Sequence, residues 1–185
     1  HHEQNNTDPR FEVMIGAILT QNTAWTNVEK AIKQLKEHEL LSIQALKDTD
    51  ADLVKTCIRS SGYFNQKAQR LQYLSDHLAE HYDGDLDHFF SKSTKDLRQE
   101  LLSLHGIGPE TADSMLLYAV KKPVFVVDAY TKRLCKRLPL PVNADSYDDI
   151  QAYFEDDLGK KYSFDELVQV YNEFHALIVN LGKYY

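Results

Sequence analysis

Apolar side chains recur at three- and four-residue intervals along nearly the whole chain, and runs that alternate apolar with polar residues are scarce, so the sequence reads as all-α. FEVMIGAILTQ, residues 11–21, is apolar almost all round and predicts a buried helix. NVEKAIKQLKEH carries Val28, Ile32 and Leu35 on one face and predicts the next. Short helices are expected near 43–46 and 50–58, the second with Asp50 as its N-cap. After Gly62, FNQKAQRLQYLSDHLAEHY places Ala68, Leu71, Leu74 and Leu78 on one stripe of a long amphipathic helix, and Asp83, Gly84 and Asp85 then form a turn. Helices over 93–104, 109–120, 128–138, 146–158 and 163–181 complete the pattern. VFVV at 124–127 has strand composition, but it is short and isolated, which favours an apolar linker. Internal repeats and low-complexity tracts are absent from the sequence.

One junction between helices carries chemistry. In LLSLHGIGPETADSMLLYA, Gly106 suits a left-handed cap and Pro109 suits the first turn of the following helix, where its missing N–H costs nothing. Gly106 and Gly108 leave the backbone open to an approaching phosphate, and the second helix presents its positive dipole end to that anion. A plain corner between two helices accounts for Gly-x-Gly equally well.

Charge sharpens the picture. The net charge is −7, which by itself disfavours a polyanionic partner. Between 105 and 137, however, six basic residues (Lys121, Lys122, Lys132, Arg133, Lys136, Arg137) face three acidic ones, whereas between 145 and 166 eight acids face Lys160 and Lys161. Such polarity would orient one face toward nucleic acid, although two solvated helix faces give the same pattern. Cys57 and Cys135 are far apart and lack neighbours at metal-ligand spacing, so a disulfide framework and a zinc site are not indicated. No run of roughly 20 apolar residues occurs, and HHEQNNTDPR has neither the basic nor the apolar region of a signal peptide. A soluble intracellular protein of the cytoplasm or nucleoid is expected. His1 and His2 fit either tag remnants or native residues and carry none of the reading.

LHGIGPETA followed by VVDAYTKR resembles the pattern L-x-G-(I/V)-G-x-K-T-A and later (V/I)-D of the helix-hairpin-helix DNA glycosylases of the endonuclease III type. The family's lysine and aspartate positions fall here on Glu110 and Asp128, eighteen residues apart as in the family. FEVMIGAILTQNT resembles the family's opening helix and the polar plug after it, SGYFNQKAQRL another characteristic segment, and NEFHALIVNLGKYY is more weakly similar. The resemblance implies two helical lobes: a central one over 23–123, with the hairpin at about 97–120, and a second formed by 1–22 with 124–185. Duplex DNA containing a damaged base would lie across the cleft with Asp128 at its mouth, and a monomer is expected.

The implied chemistry is cleavage of an N-glycosidic bond after base flipping. Asp128 would stabilise the oxocarbenium-like sugar and orient or deprotonate water; its composition equally suits an N-cap, and a capping carboxylate is also a held one. Gly106, Gly108 and Thr111 would grip the DNA, and Gln21 and Asn22 would fill the gap left by the extruded nucleotide or cap a helix. Bifunctional members use a lysine that forms a Schiff base and then nicks the strand. Glu110 cannot form that imine, which implies a monofunctional enzyme; at a helix start it also complements the dipole. Glutamate there, with LTQNT and SGYFNQKA, looks most like the 3-methyladenine glycosylases, making alkylated purines the leading substrate. Trp25 falls at their pocket aromatic and would stack on the flipped base, unless it packs in the core. That subgroup also has tryptophans before its first helix, where this chain has HHEQNNTDPR. Lys183 would reach the pocket or a phosphate, and His175 is expected to be packed or capping.

Endonuclease III relatives follow a segment like LGKYY with a four-cysteine iron-sulfur loop. No cofactor is expected in this chain, since a cluster would need cysteines beyond Tyr185. Two rivals remain at this point: a bifunctional glycosylase and lyase, and a non-catalytic module that binds DNA structure.

Overall fold

A computed structural model describes residues 7–184 of the chain. His1 and His2 lie outside the described residues, as do the first six positions of HHEQNNTDPR. Eleven α-helices and no strand occur among the described residues, and the chain divides into two compact units, one up to Thr111 and one from Ala112. The division thus falls at one point in the chain, where the sequence reading places boundaries at 22/23 and 123/124.

The first unit contains α1 (Pro9–Leu19), α2 (Trp25–Glu37), α3 (Ile43–Asp48), α4 (Ala51–Cys57), α5 (Phe64–Tyr82), α6 (Leu86–Phe90) and α7 (Thr94–Ser103). Polar residues fix most starts: the side chains of Asp8, Ser42, Asp50, Asp85 and Ser93 each accept a first-turn backbone N–H that lacks a helical partner. α1 is buried through Phe11, Met14, Ile15, Ile18 and Leu19, as its all-round apolar sequence requires, and packs on α2 and α5. α6 and a 3₁₀ turn at Arg59–Ser61 were not legible, because five and three residues are too few for a periodic signal.

Lys67 on α5 is only 1% exposed, and its ammonium donates to Leu19 O at 2.8 Å and Ser61 O at 2.7 Å. It therefore closes the carbonyl ends of α1 and of the 3₁₀ turn, groups that would otherwise be buried without a donor. Burial pulls its pKa down to about 8, with Arg70 adding like-charge repulsion.

α8 (Pro109–Ser114) crosses the division. The expected single helix over 109–120 gives way after Ser114 to a π turn, Met115–Ala119, in which Val120 N–H donates five residues back to Met115 O at 3.3 Å. The second unit continues with α9 (Ala129–Arg137), α10 (Tyr147–Gly159) and α11 (Phe164–Gly182) around a core of Leu117, Phe125, Val126, Val127, Ile150 and Phe154, among others.

The VFVV segment is a buried linker, and α10 explains why it needs no partner strand. Phe125 N–H donates to Glu155 Oε1 at 2.9 Å, Gln151 Nε2 donates to Phe125 O at 2.7 Å, and Val127 N–H donates to Tyr147 Oη at 3.4 Å. Side chains from one helix thus satisfy extended backbone that a sheet would otherwise serve. Tyr147 and Gln151 also donate to the buried Asp113 carboxylate at 2.7 and 2.8 Å, tying the linker to the second half of α8.

Candidate active site

The hairpin turn lies wholly in the first unit. Ile107 N–H closes on Leu104 O at 3.1 Å, and Gly106, third in that four-residue turn, has φ +81°. A β-carbon on Gly106 would sit 2.2 Å from Arg70 Nε, so the space its missing side chain leaves is filled by Arg70. The equivalent position on Gly108 faces open space, with nothing within 4 Å. Of the two glycines, Gly108 is the one left open to an approaching ligand.

Gln21 is tied to this turn. Its Nε2 donates to Gly106 O at 3.1 Å and to Thr111 Oγ1 at 2.9 Å, while Arg70 donates to its Oε1. Thr111 is buried, and its hydroxyl serves this contact. Asn22, the next residue, is exposed and left-handed, at φ 54°, which asparagine tolerates better than most side chains. The sequence motif therefore separates into Gln21, which braces the hairpin, and Asn22, which is turned outward.

Trp25 begins α2 and is 53% exposed, which excludes ordinary core packing. Its indole N–H donates to Glu29 Oε1 at 3.0 Å, and one edge of the ring approaches the position of a β-carbon on Gly16 at 3.7 Å. A half-exposed aromatic held at one edge offers its face to a planar ligand. Glu110 is exposed in the first turn of α8, where it complements the helix dipole.

Asp128 caps α9 in the second unit. Its Oδ1 accepts Thr131 N–H at 2.7 Å and Thr131 Oγ1–H at 2.8 Å, so the carboxylate cannot rotate freely. The residue is 9% exposed: largely enclosed, yet not sealed in the core. Its Oδ2 lies 3.3 Å from His175 Nε2 on α11. Burial pushes the acid up, but His175 and the Thr131 donors outweigh it and hold the carboxyl below the usual range, ionised at neutral pH. An ionised, immobilised carboxylate can stabilise positive charge at an anomeric carbon or take a proton from water.

Lys183, at the C-cap of α11, is exposed. A cavity of about 340 Å³ between α9 and α11, flanked by Arg133 and Arg137, does not include Asp128. Cys57 and Cys135 are both buried in separate units, with burial raising both thiols, and among the described residues no group of three or more His, Cys, Asp or Glu is arranged to hold a metal. These residues do not fit an iron-sulfur cluster, which needs four cysteine ligands. Arg70, Tyr118 and His175 escaped the sequence reading as site residues, because their roles exist only through contacts distant in the chain, and Thr131 was missed although its contact with Asp128 is only three residues away.

Comparison with known proteins assigns the family. The sequence model of the HhH-GPD superfamily base excision DNA repair proteins matches residues 15–160. A protein of Methanocaldococcus jannaschii named as a candidate DNA repair glycosylase, MJ1434, is 46% identical over 95% of this chain and 78% of its own length. Endonuclease III of Thermotoga maritima is 37% identical over 71% of this chain, which spans 57% of that enzyme. Among solved structures, the 3-methyladenine DNA glycosylase MagIII of H. pylori, bound to 1,N6-ethenoadenine, superposes with a TM-score of 0.82 at 34% identity, covering 94% of this chain and 84% of its own. A trapped covalent intermediate of Endonuclease III with DNA gives 0.70 at 25% identity, covering 88% and 70%. The chain belongs to the HhH-GPD superfamily of base excision DNA repair proteins. It is a DNA repair glycosylase, all-α in fold.

Proposed function

We propose that the protein releases alkylated purines from duplex DNA by hydrolysis alone, leaving an intact abasic strand. The observation that carries the monofunctional reading is the carboxylate of Glu110 at the position where bifunctional members present an amine. A lyase passes through an imine between enzyme and sugar, and a carboxylate has no nitrogen to form one. Water is then the nucleophile, and Asp128 supports its attack while stabilising the positive charge that grows on the sugar as the base departs.

Alkylated purines carry positive charge and leave readily, so selection by stacking contributes more than protonation of the leaving group. The exposed face of Trp25 supports that choice, as does the likeness to a 3-methyladenine glycosylase over most of the chain. Asn22 is proposed to enter the space vacated by the flipped nucleotide, and Gly108 to let a phosphate reach the backbone.

The test is a panel of duplexes containing methylated, deaminated or oxidised bases, with freed bases identified by mass spectrometry and parallel reactions quenched with borohydride. Release of methylated purines with no borohydride-trapped adduct is expected. A covalent protein-DNA adduct would instead establish the lyase reading, and lesion binding without release of any base would establish a non-catalytic module.

A further inference from the structure

His175 and Tyr118 form a buried relay behind Asp128 that the proposed reaction does not yet use. Tyr118 lies in the π turn Met115–Ala119, and its hydroxyl is hydrogen-bonded to His175 Nδ1, the two rings being 6.0 Å apart. The other ring nitrogen, His175 Nε2, is buried without a hydrogen bond of its own and lies 3.3 Å from Asp128 Oδ2. An imidazole N–H enclosed in protein and left without an acceptor costs free energy unless something nearby uses it. An acceptor within reach is the carboxylate oxygen that Thr131 does not engage, since both Thr131 donors go to Oδ1.

We propose that His175, its tautomer fixed by Tyr118, is the positioning residue for Asp128, turning Nε2–H onto Oδ2 so that the carboxylate is held at both oxygens as charge develops on the sugar. The inference rests on the reading of Asp128 as the group that faces the reacting sugar. When the Tyr118 hydroxyl donates to Nδ1, that nitrogen carries no proton and the ring proton must sit on Nε2, facing the carboxylate. A neutral imidazole in that tautomer donates a hydrogen bond without adding a net charge that would cancel the one Asp128 supplies. The π turn contributes by carrying Tyr118 on a wider backbone ring than an α-helix allows, and such turns recur at functional sites.

The titratable groups facing Asp128 are His175 from α11 and Tyr118 from the π turn, with the uncharged Thr131 from α9. Burial, and then the Asp128 charge, push the Tyr118 hydroxyl up to about 12, so it remains a donor through the neutral range. Removing His175 therefore leaves burial less opposed at Asp128, and its carboxyl should titrate at higher pH.

Four variants separate the possibilities: His175→Leu, which keeps bulk but no donor; His175→Gln, whose Nε2 can reach a similar place; Tyr118→Phe; and Asp128→Asn. Two readouts are taken on folded protein. One is the ¹³Cγ titration of Asp128 in the DNA-free chain, and the other is single-turnover base release across pH on the duplex the wild type processes best. His175→Leu should raise the Asp128 midpoint and lower release about 10- to 100-fold, moving the acid limb of the profile to higher pH. His175→Gln should restore most of both, and Tyr118→Phe should fall between.

An unmoved ¹³Cγ midpoint in His175→Leu, or equal losses in His175→Leu and His175→Gln, overturns the relay whatever the activity shows. Full release by Asp128→Asn overturns the underlying reading of Asp128 instead, while leaving the ¹³C result for His175 intact.

Discussion

The two hairpin glycines should separate stability from DNA binding, and Gly106→Ala is the informative change. At φ +81° an L-residue costs about 1 to 2 kcal/mol relative to glycine. The added carbon would also lie 2.2 Å from Arg70 Nε, 2.5 Å from Cδ and 2.6 Å from Cγ, so the middle of that side chain must move as well as its tip. Moving it breaks the Arg70 bond to Gln21, which in turn orients the Gln21 amide toward Gly106 O and Thr111. One or two of these bonds lost at about 1 kcal/mol each bring the total to roughly 2 to 4 kcal/mol, or on the order of 5 to 15 °C in a chain of this size. Gly108→Ala meets open space at ordinary φ and should cost under about 1 kcal/mol. Thermal and urea unfolding measure the first quantity; fluorescence anisotropy with damaged and undamaged duplexes measures binding, where a bulky side chain at Gly108 should weaken all duplexes alike. Equal stability losses at the two positions would refute the Arg70 brace, and a loss of affinity for one lesion only would refute the phosphate role of Gly108.

Other consequences follow from single side chains. Lys67→Met should destabilise the first unit by about 2 kcal/mol at pH 7, because two buried carbonyls lose their donor. Since the folded lysine titrates near 8, below its ordinary 10.5, the unfolded chain binds the extra proton between those values, and wild-type stability should rise with pH across that window by an increment the variant lacks. Glu100 gives a slope of the same sign in the acid range, there because its charged form is favoured by the fold. Burial raises its carboxyl, but donors from Lys92, Tyr82 and His77 outweigh that and hold it at about 2. Its contribution is thus complete above pH 4.5 and lost as pH falls toward 2, so the stability deficit of Glu100→Gln, followed by urea unfolding, should shrink over that range. Trp25 is the chain's single tryptophan and half exposed, so its fluorescence should be quenched on binding abasic or methylated duplex; an emission unchanged at saturating DNA would remove it from the pocket.

Much of the helical framework was legible because it depends on periodicity and caps that neighbouring residues supply, as in the stripe of α5 and the Ser and Asp caps. Asp128 was legible for the same reason: a capping aspartate before a helix is a local pattern. What escaped depends on tertiary partners. Gln21 reads as an exposed plug until the hairpin 85 residues later claims its amide. VFVV was ambiguous because its backbone is satisfied by side chains 20 to 30 residues downstream on α10. His175 reads as one histidine on an apolar helix, and only the packing of α11 against α9 and the π turn brings it to the carboxylate.

Single-turnover release by Asp128→Asn, with binding measured on the same duplex, tests the central claim most directly. Asparagine caps a helix about as well as aspartate and can still accept from Thr131, so fold and shape persist while the charge is lost. Base release should fall by about 10²-fold or more, with affinity for the lesion duplex within a few-fold of wild type. Turnover at the wild-type rate would show that the carboxylate at 128 is a helix cap and nothing more.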